Sequence, residues 1–158
     1  MHSRAFVSLT ATTLVVGFGK LQSRPGPCAQ ATVADNGGAA SPVAADCGYI
    51  TGPDGVRLYY EIVGSGSQTV ILPGRLFLIH TLSRLAPARR LIFYDTRARG
   101  RSDAVHNAAR ETIMDDVRDL EALRSQLAPS GRVSLVGYSY MGLLVMLYAK
   151  AHLDPSSA

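Results

Sequence analysis

Ser139 is the residue of this sequence whose surroundings best suit nucleophilic chemistry. The segment 132–136, RVSLV, is predicted to be a strand. The run at 142–151, apolar on nearly all sides, is predicted to be a buried helix. A serine at the sharp turn between such elements is held in a strained backbone conformation and projects its hydroxyl over the sheet. The free N–H groups at the start of the helix favour negative charge. The sequence therefore predicts a turn that stabilises the oxyanion formed when a serine attacks a carbonyl carbon.

The residues around this serine resemble a known motif. The segment 137–142, GYSYMG, is similar to the nucleophile elbow of the α/β-hydrolase superfamily, whose pattern is G-x-S-x-G. Met141 occupies the second small position of that pattern, and the glycine follows one residue later. The resemblance implies that Ser139 is the catalytic nucleophile and that Gly137 and Gly142 shape the turn.

A second match lies after the apolar run at 91–94. The segment 93–103, FYDTRARGRSD, resembles the D-x-R-G-x-G-x-S loop of the same superfamily, with Ala98 in place of one glycine. That loop is mainly structural in the family, which implies that Asp95 pairs with Arg97 or Arg101 beneath the site. The alternative, a basic loop that binds nucleic acid, is disfavoured by the charge balance described below.

A third match is the segment 72–75, LPGR, which stands where the superfamily has H-G-G or H-G-x after its third strand. Pro73 takes the place of the family's histidine. The resemblance implies that Gly74 shapes this loop. It also implies that the oxyanion hole consists of two backbone N–H groups, those of Arg75 and Tyr140.

The resemblance covers residues 48–158 and is nearest to prolyl-aminopeptidase-like and esterase-like members. It implies a partial α/β-hydrolase fold, with a mostly parallel sheet and flanking helices, in which the C-terminal strands and the cap are missing. The implied function is a serine hydrolase that acts on small-molecule esters, amides or short peptides through an acyl-serine intermediate. No cofactor is implied, and no Cys/His pair has the spacing of a metal site.

The histidine that such a serine needs is not evident. A serine hydroxyl requires a base within hydrogen-bond reach, and in this superfamily the acid and the histidine follow the serine in the chain. His152 is 13 residues along the predicted helix, or about 20 Å from Ser139, and is predicted to be structural. His80 is predicted to be a partly buried packing residue, and His106 a surface residue in a loop near the site. The chain is therefore predicted to be an incomplete, inactive fragment.

Two alternatives remain open. The chain is a non-catalytic, truncated or decayed α/β-hydrolase-like protein, or it is a binding module that keeps the fold without the chemistry. The presence of Ser139 disfavours the binding module.

The predicted elements alternate between strands and helices. Strands are predicted at 48–51, 56–63, 69–72, 91–94 and 132–136, and helices at 76–86, 112–127 and 142–151. The first two strands form a predicted hairpin, and Thr112 with Asp115 forms a predicted capping box. This order indicates a doubly wound α/β fold. Because one helix follows the strand at 132–136, one edge of that strand is predicted to lack a partner.

The charge balance of the chain does not indicate a polyanion as partner. Residues 1–31 hold three of the 16 basic residues and no acidic one, so 13 basic and 12 acidic residues remain. That balance gives no electrostatic footprint for nucleic acid. No apolar run approaches the roughly 18–20 residues of a membrane-spanning helix, so stable membrane insertion is not expected.

The first 31 residues have the features of a signal peptide. A basic start at Arg4 precedes an apolar core at 5–18, and residues 29–31, AQA, form a small-residue cleavage site. Export is therefore predicted, and residues 32–47 are predicted to be a flexible linker. Cleavage after Ala31 would leave Cys47 without the other cysteine of the sequence, Cys28.

Overall fold

The computed structural model describes residues 46–107, 109 and 111–152. The strands are β1 (Asp46–Thr51), β2 (Arg57–Val63), β3 (Gln68–Pro73), β4 (Arg89–Tyr94) and β5 (Val133–Leu135). The helices are α1 (Arg75–Leu82), α2 (Ile113–Leu127) and α3 (Tyr140–His152), and a 3₁₀ helix, Ser83–Ala88, follows α1.

The N-terminal segments fall largely outside this description. The predicted signal peptide and residues 32–45 of the predicted linker lie outside the described residues. The last two residues of that linker, Asp46 and Cys47, belong to β1 instead. Cys47 is disulfide-bonded, and the other cysteine of the sequence, Cys28, lies outside the described residues.

The five strands form one mixed sheet in the order β1-β2-β4-β3-β5. The predicted hairpin is confirmed, because β1 pairs with β2 in antiparallel fashion. β2 is also antiparallel to β4, whereas β3 is parallel to both β4 and β5. The predicted α/β class is confirmed, and its parallel part consists of β3, β4 and β5.

Helices cover both faces of the sheet. Ile71 and Ile92 pack with α2 and α3 on one face, and their neighbours Leu72 and Phe93 pack with α1 and the 3₁₀ helix on the other. All four side chains are buried because β3 and β4 are central strands with helices on each side. In such a fold, the loops that leave the carboxyl ends of parallel strands meet at one edge, where ligands bind.

The predicted start of α2 is confirmed. The Thr112 hydroxyl oxygen accepts a hydrogen bond from the Asp115 N–H, and the Asp115 carboxylate accepts one from the Thr112 N–H. Together with an ion pair to Arg118, the Thr112 contacts lower the pKa of Asp115 to about 2. The charged carboxylate also interacts favourably with the positive end of the helix dipole.

One side of α3 is open. Met141, Leu144 and Tyr148 are buried, but Leu143 is 50% exposed and Met146 is 71% exposed. The prediction of a helix buried on nearly all sides is therefore wrong for this face, because no described element packs against it. In the described part of the chain β5 pairs with β3 alone, as the sequence predicted.

Within the described residues, no helix combines the length and the apolarity needed to cross a membrane.

Candidate active site

Ser139 lies at the turn between β5 and α3 and has a left-handed backbone conformation, with φ of 55°. A residue with a Cβ atom loses roughly 1–2 kcal/mol in this region because its Cβ approaches the following carbonyl oxygen. The strained conformation expected from the sequence is therefore present. Such strain persists only where the surrounding structure holds it, and it is concentrated at functional sites.

Gly137 makes this turn sterically feasible. An ideal Cβ on Gly137 would lie 2.2 Å from the carbonyl oxygen of Met141 and 2.5 Å from Cγ2 of Val145, so only glycine fits. Gly142 differs, because its Cβ would meet no atom closer than 3.6 Å. The structure therefore supports the predicted role of Gly137 and gives no steric reason for a glycine at 142.

The loop after β3 packs directly against this turn. Gly74 has φ of 80°, and an ideal Cβ on it would lie 3.1 Å from Cγ of the buried Met141. Its N–H donates to the Tyr94 carbonyl oxygen at 3.0 Å, which joins the loop to the end of β4. Because β3 and β5 are parallel, Gly74 and Ser139 both lie beyond the carboxyl ends of these strands.

The two predicted oxyanion-hole residues each occupy the first position of a helix. Arg75 begins α1 and Tyr140 begins α3, where backbone N–H groups have no intrahelical acceptor. Neither N–H donates a hydrogen bond to another group in the described part of the chain. Both groups are therefore available to bind a negatively charged oxygen.

A buried ion-pair cluster holds the Arg75 side chain. Its Nη2 donates to Oε1 of Glu61 at 2.7 Å, and its Nη1 lies 3.7 Å from Oδ2 of Asp95. The Tyr59 hydroxyl donates to the same Glu61 oxygen at 2.8 Å and accepts from Nη1 of Arg101 at 2.7 Å. Sequence reasoning missed Glu61 and Tyr59, although a carboxylate within the apolar strand β2 was an available signal.

Asp95 is buried beneath the loop and contacts Arg101, one of its two predicted partners. Its Oδ2 accepts the backbone N–H of Arg101 at 3.0 Å and faces Arg75, and burial raises its pKa. An ideal Cβ on Gly100 would lie 2.3 Å from the same oxygen, so the carboxylate fills the space of the missing side chain. Of the two predicted alternatives, the structure has the contact with Arg101, which is made by its backbone N–H, whereas Arg97 binds other carboxylates.

Arg97 instead forms a buried ion-pair network. Its guanidinium donates to both oxygens of Asp119, at 2.7 and 2.8 Å, and to Asp54 at 2.9 Å. Asp119 lies on the buried side of α2 and is only 1% exposed, so it requires a cation nearby. Ala98, which follows Arg97 in the sequence, has φ of 55°, a conformation that favours glycine.

The Tyr140 side chain reaches across to α2. Its hydroxyl donates to Oδ2 of Asp116 at 2.7 Å, and the Arg99 guanidinium carbon lies 5.4 Å from the centre of its ring. Burial, followed by the bond to Asp116, raises the pKa of Tyr140 to about 12. Burial also raises the pKa of Asp116, whose other oxygen has no partner among the described residues. Sequence patterns did not predict this contact, because Tyr140 and Asp116 are 24 residues apart in the chain.

Known proteins are similar to this chain in sequence and in fold. A proline iminopeptidase from Saccharolobus solfataricus is 31% identical over 103 residues, which are 60% of this chain and 33% of that protein. A crystal structure of an α/β hydrolase from Novosphingobium aromaticivorans is 31% identical, with a TM-score of 0.62, and the match covers 73% of this chain and 42% of that one. The chain is similar to members of the α/β-hydrolase superfamily and has part of their fold.

A further member of the same fold is an esterase from Exiguobacterium antarcticum, at 27% identity and a TM-score of 0.59, with 66% of this chain and 40% of that chain covered. No protein-family model matches the chain. The chain thus spans between a third and a half of the length of these α/β-hydrolase relatives.

An α/β-hydrolase serine needs a base, and the described histidines lie elsewhere. The His152 ring stacks on Tyr148 at a centroid distance of 4.4 Å, at the end of α3 remote from Ser139. His80 is exposed, so the prediction that it packs in a partly buried position is wrong, because α1 presents it to the outside. His106 is exposed, as expected.

Neither a base nor a metal site is found within the described part of the chain. No described side chain forms a hydrogen bond with the Ser139 hydroxyl, and no three described His, Cys, Asp or Glu side chains are grouped so as to hold a metal ion. The geometry around Ser139 therefore provides a strained serine and free N–H groups, but not the group that removes the serine proton.

Proposed function

We propose that this protein is a serine hydrolase that cleaves ester, amide or short peptide substrates through an acyl-serine intermediate. The observation that carries the proposal is the left-handed conformation of Ser139 between β5 and the start of α3. A serine held in this way is exposed at the carboxyl edge of the sheet, where ligands of open α/β sheets bind. The names of the similar proteins, an esterase and a proline iminopeptidase, support a hydrolytic reaction.

The roles of the residues follow from the chemistry of acyl transfer. The Ser139 oxygen attacks the carbonyl carbon, and the carbonyl oxygen becomes an oxyanion. The N–H groups of Arg75 and Tyr140 bind that oxyanion, and each such donor contributes about 10²–10³-fold to turnover. Collapse of the intermediate expels the alcohol or amine and leaves the acyl group on Ser139, which water then releases.

The proposed reaction also needs an acid and a histidine that activate Ser139. Because no described side chain that could act as a base contacts the Ser139 hydroxyl, we propose that the 158-residue chain alone is an inactive fragment. In serine hydrolases, loss of the histidine lowers turnover about a millionfold. Export of the protein, suggested by residues 1–31, and the absence of nucleic-acid binding are parts of the same proposal.

The test compares three proteins in the hydrolysis of p-nitrophenyl acetate. They are the 158-residue chain, the product of the complete open reading frame that contains it, and the Ser139→Ala variant of that product. We expect turnover only for the product of the complete frame with Ser139 intact. Serine-dependent turnover by the 158-residue chain would refute the proposed inactivity, and turnover that survives Ser139→Ala would refute the proposed nucleophile.

A further inference from the structure

The two residues whose N–H groups form the proposed oxyanion hole make the same kind of side-chain contact. Each has a side chain that is bonded to a buried carboxylate on a different element. Arg75 is bound by Glu61 of β2, and Tyr140 is bound by Asp116 of α2.

The first contact is short and shielded from water. Glu61 is 4% exposed, and its Oε1 accepts both Nη2 of Arg75 at 2.7 Å and the Tyr59 hydroxyl at 2.8 Å. The Arg75 guanidinium also lies over the Tyr59 ring, with 5.3 Å between its central carbon and the ring centre. These contacts hold a long, flexible side chain in one position, so that the backbone at the start of α1 is fixed as well.

The second contact reaches the site from the other face of the sheet. Asp116 is 2% exposed and lies in the first turn of α2, which packs on the same face as α3. Its Oδ2 accepts the Tyr140 hydroxyl at 2.7 Å. The remaining oxygen of Asp116 is buried without a hydrogen-bond partner among the described residues. The carboxylate has therefore lost its contact with water, and its hydrogen bond with Tyr140 is the one that compensates for this loss.

We propose that Glu61 and Asp116 are positioning residues of the oxyanion hole. They fix the side chains of Arg75 and Tyr140 from opposite faces of the sheet and thereby aim the two N–H groups. Neither carboxylate contacts the reacting atoms. An error of about 1 Å in the placement of such groups lowers the rate roughly 100-fold, so a rigid support has a direct consequence for turnover. The inference rests on the proposed function, because it assumes that these N–H groups bind an oxyanion.

Helices α2 and α3 contain a second tyrosine–carboxylate contact that serves as a matched control. The Tyr148 hydroxyl donates to the Glu121 carboxylate, so a second tyrosine of α3 is bonded to a second acid of α2. Tyr148 is eight residues beyond Tyr140, about 12 Å farther along the helix, and so is remote from Ser139. Variants of this pair remove the same kind of contact without disturbing the proposed hole.

The experiment uses the product of the complete open reading frame and p-nitrophenyl acetate as substrate. We expect Tyr140→Phe, Asp116→Asn and Glu61→Gln each to lower kcat about tenfold or more while KM changes less than twofold. This pattern is expected when an interaction that exists only in the transition state is lost. Tyr148→Phe and Glu121→Gln are expected to keep kcat within twofold of the wild type. Urea unfolding of every variant reports the change in folding stability separately.

The inference is overturned if Tyr140→Phe and Asp116→Asn keep kcat within twofold of their matched controls. It is also overturned if kcat falls equally in the Tyr148 and Glu121 variants, because the effect then follows helix packing. Should Glu61→Gln fail to fold, Tyr140→Phe still decides the question, since it removes one hydroxyl and nothing else. A Ser139→Ala variant distinguishes failure of the proposed function from failure of this inference. If it hydrolyses the ester as fast as the wild type, the proposed function fails, and the inference fails with it.

Discussion

Gly137→Ala adds one methyl group, and we expect this group to disrupt the serine turn more than a methyl group added at any other position of the turn. The added Cβ would lie 2.2 Å from the Met141 carbonyl oxygen and 2.5 Å from Cγ2 of Val145, whereas ordinary contact begins at 3.4 Å. The turn must therefore open by about 1 Å, and the atom in the way belongs to the backbone of α3. Overpacking of this kind costs about 1–3 kcal/mol, and we expect the upper end, about 3 kcal/mol, because a backbone atom cannot rotate away.

Gly142→Ala is the matched control in the same turn. Its Cβ would meet no atom closer than 3.6 Å, and position 142 lies within α3. Alanine is favoured over glycine in a helix by roughly 0.5–1 kcal/mol, so this variant should gain stability of that order. Urea unfolding of the 158-residue chain, followed by far-ultraviolet circular dichroism, measures both free energies of unfolding. The reasoning is refuted if Gly137→Ala stays within 0.5 kcal/mol of the wild type, on the order of the additivity error of such data, or if Gly142→Ala is the less stable variant.

Three other predictions concern stability, and one concerns export. Ala98→Gly should raise the free energy of unfolding by about 0.5–1 kcal/mol because it relieves a left-handed alanine; a loss of stability in urea would contradict this. Asp119→Ala should lower it by about 3 kcal/mol because the buried Arg97 loses its bidentate partner, and a loss below 1 kcal/mol would show that Asp54 suffices. The Arg124 contact lowers the pKa of Glu121 to about 2 from its ordinary value of 4.5, so the stability from this residue is present above pH 4.5 and lost as the pH falls toward 2. Glu121→Gln should therefore flatten the decline of unfolding free energy over that range, and an unchanged slope would contradict it. Expressed in a bacterium, the protein should be cut near Ala31, and N-terminal sequencing that finds an intact leader on cytoplasmic protein would refute export.

Local sequence patterns were sufficient for the elements that shape the serine turn. The segment 132–136, the glycine at 137 and the apolar run after Ser139 predicted a strand, a tight turn and a helix, and these are present. The capping box of α2 was also predictable, because its two partners are three residues apart. Both signals depend on contacts between residues that are close in the sequence.

These patterns did not predict contacts between residues that are far apart in the sequence. Arg97 was one of two predicted partners of its near neighbour Asp95, but it binds Asp119 and Asp54, 22 and 43 residues away. No partner was predicted for Glu61 of β2 or Asp119 of α2, because a single sequence does not show which polar side chain finds a buried partner. The burial of α3 was mispredicted for a related reason. Its apolar composition predicted burial on all sides, but composition does not show which face the rest of the molecule covers.

The central claim, that Ser139 is the nucleophile, is tested most directly by covalent labelling. The product of the complete open reading frame is treated with a fluorophosphonate probe, digested, and analysed by mass spectrometry. The strained turn and the free N–H groups predict a single adduct, on the peptide that contains Ser139, and no adduct in the Ser139→Ala variant. An adduct on another residue, or labelling that persists in Ser139→Ala, would contradict the account.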